Sequence, residues 1–430
     1  MADAILMGVA AVIALLALGF PVFLAFLVVN LVLVVVVLGP MGYGMFVNSM
    51  VNTASSQALS TIPLFILMGE LIFRAGAVEK LFSSIQLLIG QVRGRQHVIT
   101  MVLSTILSAL SGASMAVAAM LGRTVLPTLL AGGHSVRLSA GTILAGASLA
   151  PIVPPSVLVI ILGTLAEESI AKLLIAGVLP GLVLAALFIG YIVWKSPPET
   201  ESSTDASQSP VPTTMAAALV DLLPLTLLIL FVLGAILSGI ATPTEAAATG
   251  VFGALVVCRL YGVLNWKLIE DATIESAKLG SMILLIMITS KLFSQLLAMS
   301  GVAGMIAGAV TGLSEQPYVI LFVLMAIPFV LCMLIDQIAL LLIIVPIYKQ
   351  LLDFLPVEPL VFWFLLLVNI TIGGITPPFG YTLFALRGAN QSVSMPQIYQ
   401  AVWPFIGIYL LFMVLVVLWP GLVTFLPSWM

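Results

Sequence analysis

The sequence predicts an all-α polytopic membrane protein made of two repeats, with re-entrant helical hairpins and broken helices. Three observations carry the prediction. Of 430 residues, 62% are hydrophobic and only 7% charged, with a mean hydropathy of +1.28. Soluble domains carry roughly 25% charged residues, so a water-soluble fold of this length has too little polar surface to cover its apolar mass. Two Pro-Pro pairs, Pro154-Pro155 and Pro377-Pro378, interrupt long apolar runs. Finally, landmarks recur in the same order in the two halves of the chain. At ~20 residues per crossing, the apolar runs leave room for about ten to twelve helical segments. None shows the alternating ~10-residue pattern of a membrane barrel.

The Pro-Pro pairs organise the rest. A proline inside a helix removes a backbone donor and clashes one turn back, and the residue before it is pushed out of helical geometry. Ile152-Val-Pro154-Pro155-Ser156 and Thr376-Pro377-Pro378-Phe379-Gly380 therefore open their helices and free carbonyls at membrane depth. Such backbone persists in a bilayer only where it is buried in protein or lines a cavity. One interrupted segment in each half is the sequence signature of a secondary transporter's binding site.

In chain order, residues 1–42 read as N-terminal scaffold helices. Met1-Ala2-Asp3 has no positive n-region, so the first apolar run is expected to be a retained helix. Asn30 can bond a neighbouring helix or its own backbone. Residues 43–194 form the first repeat. Its polar stretch Val47 to Ser60, running into Ile62-Pro63-Leu64-Phe65 and Glu70, is expected to make a re-entrant hairpin. Arg93 and Arg95 mark a cytoplasmic loop, as do Arg259 and Lys267. The next run carries Ser111-Gly112-Ala113-Ser114, small residues that permit close packing or an unwound turn, and is expected to close at Pro127. Glu167-Glu168 reads as a solvated face near a helix start. Residues 195–215 are compositionally a polar linker. Residues 216–271 are scaffold helices, one opened by Thr242-Pro243-Thr244-Glu245 with proline and an acid in its first turn. The charged stretch Asn265 to Ala277 is expected to lie at the membrane interface. Residues 272–398 form the second repeat, and 399–430 a C-terminal helix.

The repeat rests on four landmarks. Phe65 to Gly76 lies over Ser290 to Gly301 (offset 225), His97 over Tyr318 (221), Pro127 over Pro346 (219) and Pro154-Pro155 over Pro377-Pro378 (223). Ser111 to Ser114 then falls opposite Cys332 to Asp336. The order indicates a duplicated unit. Inversion of the second copy, the expectation, requires an odd number of crossings between the two.

The ordered set Ile62-Pro63-Leu64-Phe65, Ser111-Gly112-Ala113-Ser114, Pro154-Pro155-Ser156, Glu168-Ser169-Ile170, Ala176-Gly177, Pro180-Gly181, Thr242-Pro243-Thr244-Glu245 and Thr376-Pro377-Pro378-Phe379-Gly380 resembles the large membrane subunit of TRAP (tripartite ATP-independent periplasmic) transporters, over nearly the whole chain. The resemblance implies a Na⁺-driven importer of organic acids such as C4-dicarboxylates or sialic acids in a bacterial inner membrane. It also implies a periplasmic substrate-binding protein, a small membrane (Q) subunit and an elevator-type transport domain moving against a scaffold. Two departures are visible. Tyr348-Lys349-Gln350 follows Pro346 where the family commonly has a second proline, and Arg387 occupies a position not expected to be basic.

Na⁺ is a hard cation that takes oxygen ligands, and unwound carbonyls with hydroxyls supply them while half-helix N-termini face an anion. The candidate ion ligands are Ser111, Gly112, Ser114, Pro154 and Ser156 in one half, and Asp336, Thr376, Pro377 and Gly380 in the other. The candidate substrate contacts are Ser111, Ser114, Pro155, Ser156, Thr376, Pro378 and Arg387. Arg387 reads either as a carboxylate partner or as a snorkelling helix-end side chain. Asp336 is the strongest candidate, because an acid inside an apolar run faces a cavity or a partner, and Lys291 is its candidate partner.

Other chemistries find no support. The net charge is −3 from 14 basic and 17 acidic residues, with no basic tract for nucleic acid. Cys258 and Cys332 sit in apolar runs and read as buried thiols, and His97 and His134 lack metal-ligand spacing. No Gly-x-Gly-Asp, His-Glu-x-x-His or Walker A sequence is present, so the chain reads as no enzyme and draws no energy from ATP. A scaffold without transport has no use for paired broken helices. The remaining alternative is a stand-alone Na⁺- or H⁺-coupled anion carrier that needs no binding protein.

Overall fold

A computed structural model describes residues 2–196, 215–302, 305, 308, 316–333, 335–352, 355 and 357–430; most of the expected linker lies outside them. Among the described residues there is no strand, and six helices are long and apolar enough to cross a membrane. The protein is an all-α polytopic membrane protein.

The packing groups the helices into two sets. The outer frame holds α1 (Ala2–Ala17), α2 (Val22–Leu33), α3 (Gly42–Ala54), α4 (Gln57–Arg74), α5 (Ala77–Leu88), α12 (Met215–Leu237), α13 (Pro243–Leu260) and α14 (Trp266–Met299). Within it α1 packs on α2, α12 on α5 and α13, α4 on α13 and α14, and α14 also on α2 and α3. The expected hairpin between Val47 and Glu70 does not form: α3 lies on α14, and α4 runs unbroken through Pro63. The polar residues that suggested a tip serve helix ends and backbone, as where Thr53 Oγ1 donates to Ser49 O at 2.7 Å. Asn30 takes its intermolecular-style option within the chain, donating from Nδ2 to Thr289 O of α14 at 2.6 Å. Gly280 of α14 lets Pro63 come close, since a Cβ there would stand 2.9 Å from the proline Cβ.

Two expectations about α13 and α14 resolve differently. Thr242 and Glu245 form a reciprocal capping box at the start of α13, as their spacing implies. The stretch 265–277 is the first part of a 34-residue helix rather than a short element of its own. Asn265 Oδ1 caps it by accepting the Leu268 N–H at 2.8 Å, and Lys278 pairs with Glu275 along its surface at 2.8 Å. No proline interrupts it, so charge alone did not end the helix.

The inner core comprises α6 (Arg95–Ser111), α7 (Ser114–Ala131), α8 (Val136–Ala147), α9 (Val157–Ala166), α10 (Ile170–Ala176) and α11 (Val178–Lys195), with α15 (Pro317–Cys332), α16 (Gln337–Leu351), α17 (Pro359–Gly373), α18 (Tyr381–Ala389) and α19 (Met395–Leu418). α6 and α7 pack on each other and both on α8, so the chain turns back at Gly112-Ala113. Gly112 takes φ +61°, a left-handed turn that glycine enters without penalty. Pro127 does not end the run: α7 continues past it to Ala131, as α16 continues past its counterpart Pro346.

The repeat is visible as crosswise packing. α6 lies on α8, as α15 lies on α17. The first-half arm α7 packs on second-half α18, and the second-half arm α16 packs on first-half α9. Each half also ties its arms, near the turn between them, to a carbonyl near the end of its broken helix. Ser108 Oγ donates to Gly146 O at 2.9 Å, while Cys332 Sγ and Gln337 Nε2 donate to Ile370 O at 3.3 and 3.0 Å. Neither half buries its broken ends alone; the other half covers them.

Candidate functional site

The four helix ends converge. Residues 148–156 separate α8 from α9, and 374–380 separate α17 from α18, each containing its Pro-Pro pair; both Pro-Pro bonds are cis. The turn at Ser111 to Ser114 lies against the first of these. A Cβ on Gly112 would stand 3.2 Å from Pro155 O and 3.7 Å from Ser156 Cα. From the frame, Gly69 of α4 closes on the same turn, where a Cβ would meet Leu110 O at 2.7 Å and Ser111 Cα at 3.0 Å. These close approaches put the C-terminal end of α6 beside the Pro155 carbonyl.

A cavity of ≈ 200 Å³ opens at this junction. Ser111, Gly112 and Ser114 line it from the first half, with Pro151 and Val157. Asp336, Gln337 and Tyr381 line it from the second half, Glu70 from α4, and Leu279, Met282 and Ile283 from α14. The cavity thus brings Ser111, Gly112, Ser114 and Asp336 together from positions more than two hundred residues apart.

Asp336 has a structural task as well. It is the N-cap of α16, and its Oδ1 accepts the N–H groups of Ile338 at 2.9 Å and Ala339 at 3.4 Å. Capping satisfies donors that a helix start leaves open, which accounts for an acid in an apolar run that has no basic partner among the described residues. Lys291 is not its partner: that ammonium pairs with Glu167 Oε1 at 3.1 Å. The carboxylate of Asp336 nevertheless faces the cavity.

Ser156 is fully buried and caps α9, accepting the Val159 N–H on Oγ at 3.4 Å; Pro155 lies beneath Gly112, and Pro154 is buried beside it. Thr376 is buried and donates to Ile372 O at 2.7 Å. Gly380 sits on a carbonyl cradle, where a Cβ would fall 2.9 Å from Gly374 O and 3.0 Å from Thr376 O. These carbonyls already accept the N–H groups of Thr382 at 3.2 Å and Gly380 at 3.1 Å; each keeps a second lone pair. Pro377 is half-buried next to this cradle. Of the candidates only Ser111, Gly112, Ser114 and Asp336 line the cavity; Pro154, Pro155, Ser156, Thr376, Pro377, Pro378, Gly380 and Arg387 stand outside its lining. Pro378 is exposed and accepts the Tyr399 hydroxyl at 2.9 Å, and Arg387 is not among the lining residues, having moved about 9 Å along α18 from Tyr381.

The oxygens that line the cavity, from Ser111 to Ser114 and the Asp336 carboxylate, are of the kind a small hard cation takes; Ser156 and the Gly374 and Thr376 carbonyls lie at the two breaks, outside that lining. Glu70, Gln337 and Tyr381 were missed. Tyr381 directly follows Gly380, and Glu70 lies in the segment that first revealed the repeat, so both were within reach of the motifs. The His97 and His134 rings, apart in sequence, meet edge-on with centroids 5.0 Å apart. Among the described residues no group of three metal-ligating side chains occurs.

Paired broken helices whose ends meet in a cavity within a polytopic all-α protein define a membrane transporter. Solved structures share that fold. The YdaH transporter of Alcanivorax borkumensis superposes with a TM-score of 0.65 at 15% identity, over 95% of this chain and 98% of that one. MtrF of Neisseria gonorrhoeae gives 0.62 at 12% identity, over 93% and 94%. The chain belongs to the family described as "Tripartite ATP-independent periplasmic transporter, DctM component", which matches residues 9–422. The C4-dicarboxylate TRAP transporter large permease protein DctM of Pseudomonas aeruginosa is 29% identical over 88% of each chain. The sialic acid TRAP transporter permease protein SiaT of Haemophilus influenzae is 28% identical over 89% of this chain and 61% of its own length. The protein is therefore a multi-pass inner-membrane transport subunit and not an enzyme.

Proposed function

We propose that this chain imports an organic acid anion by Na⁺ symport, as the large membrane subunit of a tripartite system that takes its substrate from a periplasmic binding protein and works with a small membrane subunit. The observation that carries the reading is the cavity in which Ser111 to Ser114 of one repeat face Asp336 of the other. Relatives named for C4-dicarboxylate, sialic acid and 2,3-diketo-L-gulonate support a carboxylate substrate.

On this reading Na⁺ takes the oxygen ligands at the two breaks, and its charge offsets that of the incoming carboxylate. Ser111 and Ser114 orient the acid, and the first-turn N–H groups of α7 face it. The two-set packing supports an elevator in which the core, α6–α11 with α15–α19, slides past the frame and carries the cavity across. The boundary between the sets runs along α4, α5, α12 and α14 on one side and α6, α9, α10 and α16 on the other.

Proteoliposome uptake of radiolabelled acids, with Na⁺, H⁺ or no gradient and with partner proteins added or withheld, tests the proposal. Uptake that requires both inward Na⁺ and the binding protein is expected. Uptake with no partner present would make the chain a stand-alone carrier, and uptake driven by H⁺ alone would remove Na⁺ from the mechanism.

A further inference from the structure

Away from the cavity, Glu167 ends α9 in an unusual way. It takes φ +57° and is the one non-glycine residue with positive φ among the described residues. That C-terminal position ordinarily goes to glycine, because a Cβ there is strained. A carboxylate has been placed where it is conformationally unfavourable, and both of its oxygens are engaged. Oε1 meets Lys291 Nζ of α14 at 3.1 Å, and Oε2 meets Lys349 Nζ of α16. These partners lie 124 and 182 residues away.

The two contacts differ in kind. α9 and α16 pack on each other within the core, so Glu167–Lys349 ties the two repeats together and moves with them. α14 belongs to the frame, so Glu167–Lys291 crosses the boundary. Asn390, the counterpart of Glu167 at the repeat offset of 223, carries no charge; it donates to Gly122 O at 3.3 Å and joins only α18 to α7. Among the described residues the ionic bridge to the frame therefore exists on one side of the pseudo-symmetric core and not on the other. Beside Glu167 the boundary is loosely filled: Glu168 and Ser169 face Thr61, Thr242 and Thr244 across a crevice of ≈ 350 Å³.

We propose that Glu167 is a positioning residue for transport, with its bond to Lys291 a latch that holds the core in the position seen here. Lys349 orients the Glu167 carboxylate for that bond. The proposal rests on the sliding-core reading above. Translocation breaks Glu167–Lys291 and leaves Glu167–Lys349 intact. Hydrogen bonds from Lys349 and then Lys291 hold the carboxyl below its usual range, so it is ionised at neutral pH. All three side chains retain solvent contact, which keeps the latch weak enough to open in each cycle.

The test uses Met115→Cys as reporter, because Met115 lines the cavity and is 52% exposed, while Cys258 and Cys332 are buried. The reporter is present in every protein compared. Its labelling by a membrane-impermeant maleimide is followed in vesicles of both orientations, and the faster-labelling face defines the open side. Glu167→Gln and Lys291→Gln are expected to slow labelling from that face by up to about five-fold. The double variant should be no slower than either single one, and high salt should shrink the difference. Lys349→Gln should lower the melting temperature with a smaller effect on labelling than Lys291→Gln. Labelling of Lys291→Gln at the reference rate, or equal effects of the Lys291 and Lys349 variants, would overturn the latch. If labelling of the unlatched and latched proteins alike ignores Na⁺ and substrate, the sliding-core reading itself fails, a result distinct from loss of the latch alone.

Discussion

At Asp336 one carboxylate caps α16 and faces the cavity, and the two tasks separate by substitution. Asparagine caps a helix about as well as aspartate, so Asp336→Asn should leave the fold and melting temperature near those of the parent while strongly reducing Na⁺-dependent uptake. Asp336→Ala removes the cap too and should cost about 1 kcal/mol of stability in addition. Thermal melts of the two variants, beside their uptake rates, check this; a fully active Asp336→Asn would take the residue out of the ion site. Arg387 gives the opposite expectation. It stands outside the cavity lining, so Arg387→Gln should leave the apparent KM for the transported acid within about two-fold of the parent, whereas a large rise in KM would place the guanidinium on the substrate path.

Among the elements, the hairpin turn is held by contacts that tolerate no side chain. A methyl group on Gly69 would fall 2.7 Å from Leu110 O, and overpacking of this kind typically costs 1–3 kcal/mol. Gly69→Ala should displace the Ser111 to Ser114 turn and lower uptake more than it lowers expression, measured as transport per folded molecule. Gly44, with open space around it, provides the control: Gly44→Ala should transport normally. Much of this region was legible in the sequence because its signals are local. Two prolines in a row, a run of small residues and an acid in an apolar stretch each state what the backbone does there. The expected hairpin failed for another reason: polar residues near Ser55 suggested its tip, yet the apolar face of α4 fixes that helix against α13 and α14. The partner of Lys291 was illegible, since Glu167 reaches it only once the two halves have packed crosswise.

For the whole molecule, the crosswise pairing of α7 with α18 and α9 with α16 makes each repeat complete the other's broken helices. The cavity that Ser111 to Ser114 and Asp336 line is therefore built from both halves, and neither half is expected to bind on its own. The frame and core meet along α4, α5, α12, α14 and the faces of the core packed on them, a boundary crossed among the described residues by one ion bridge, Glu167–Lys291. That arrangement ties the central claim, Na⁺-coupled movement of an organic acid through the cavity, to a single experiment. Na⁺ entry and acid entry would be measured together in proteoliposomes supplied with the partner proteins, for the parent and for Asp336→Asn. The two fluxes should rise together in the parent at a fixed ratio and fall together in the variant. Acid uptake that proceeds undiminished in vesicles free of Na⁺ would contradict the claim.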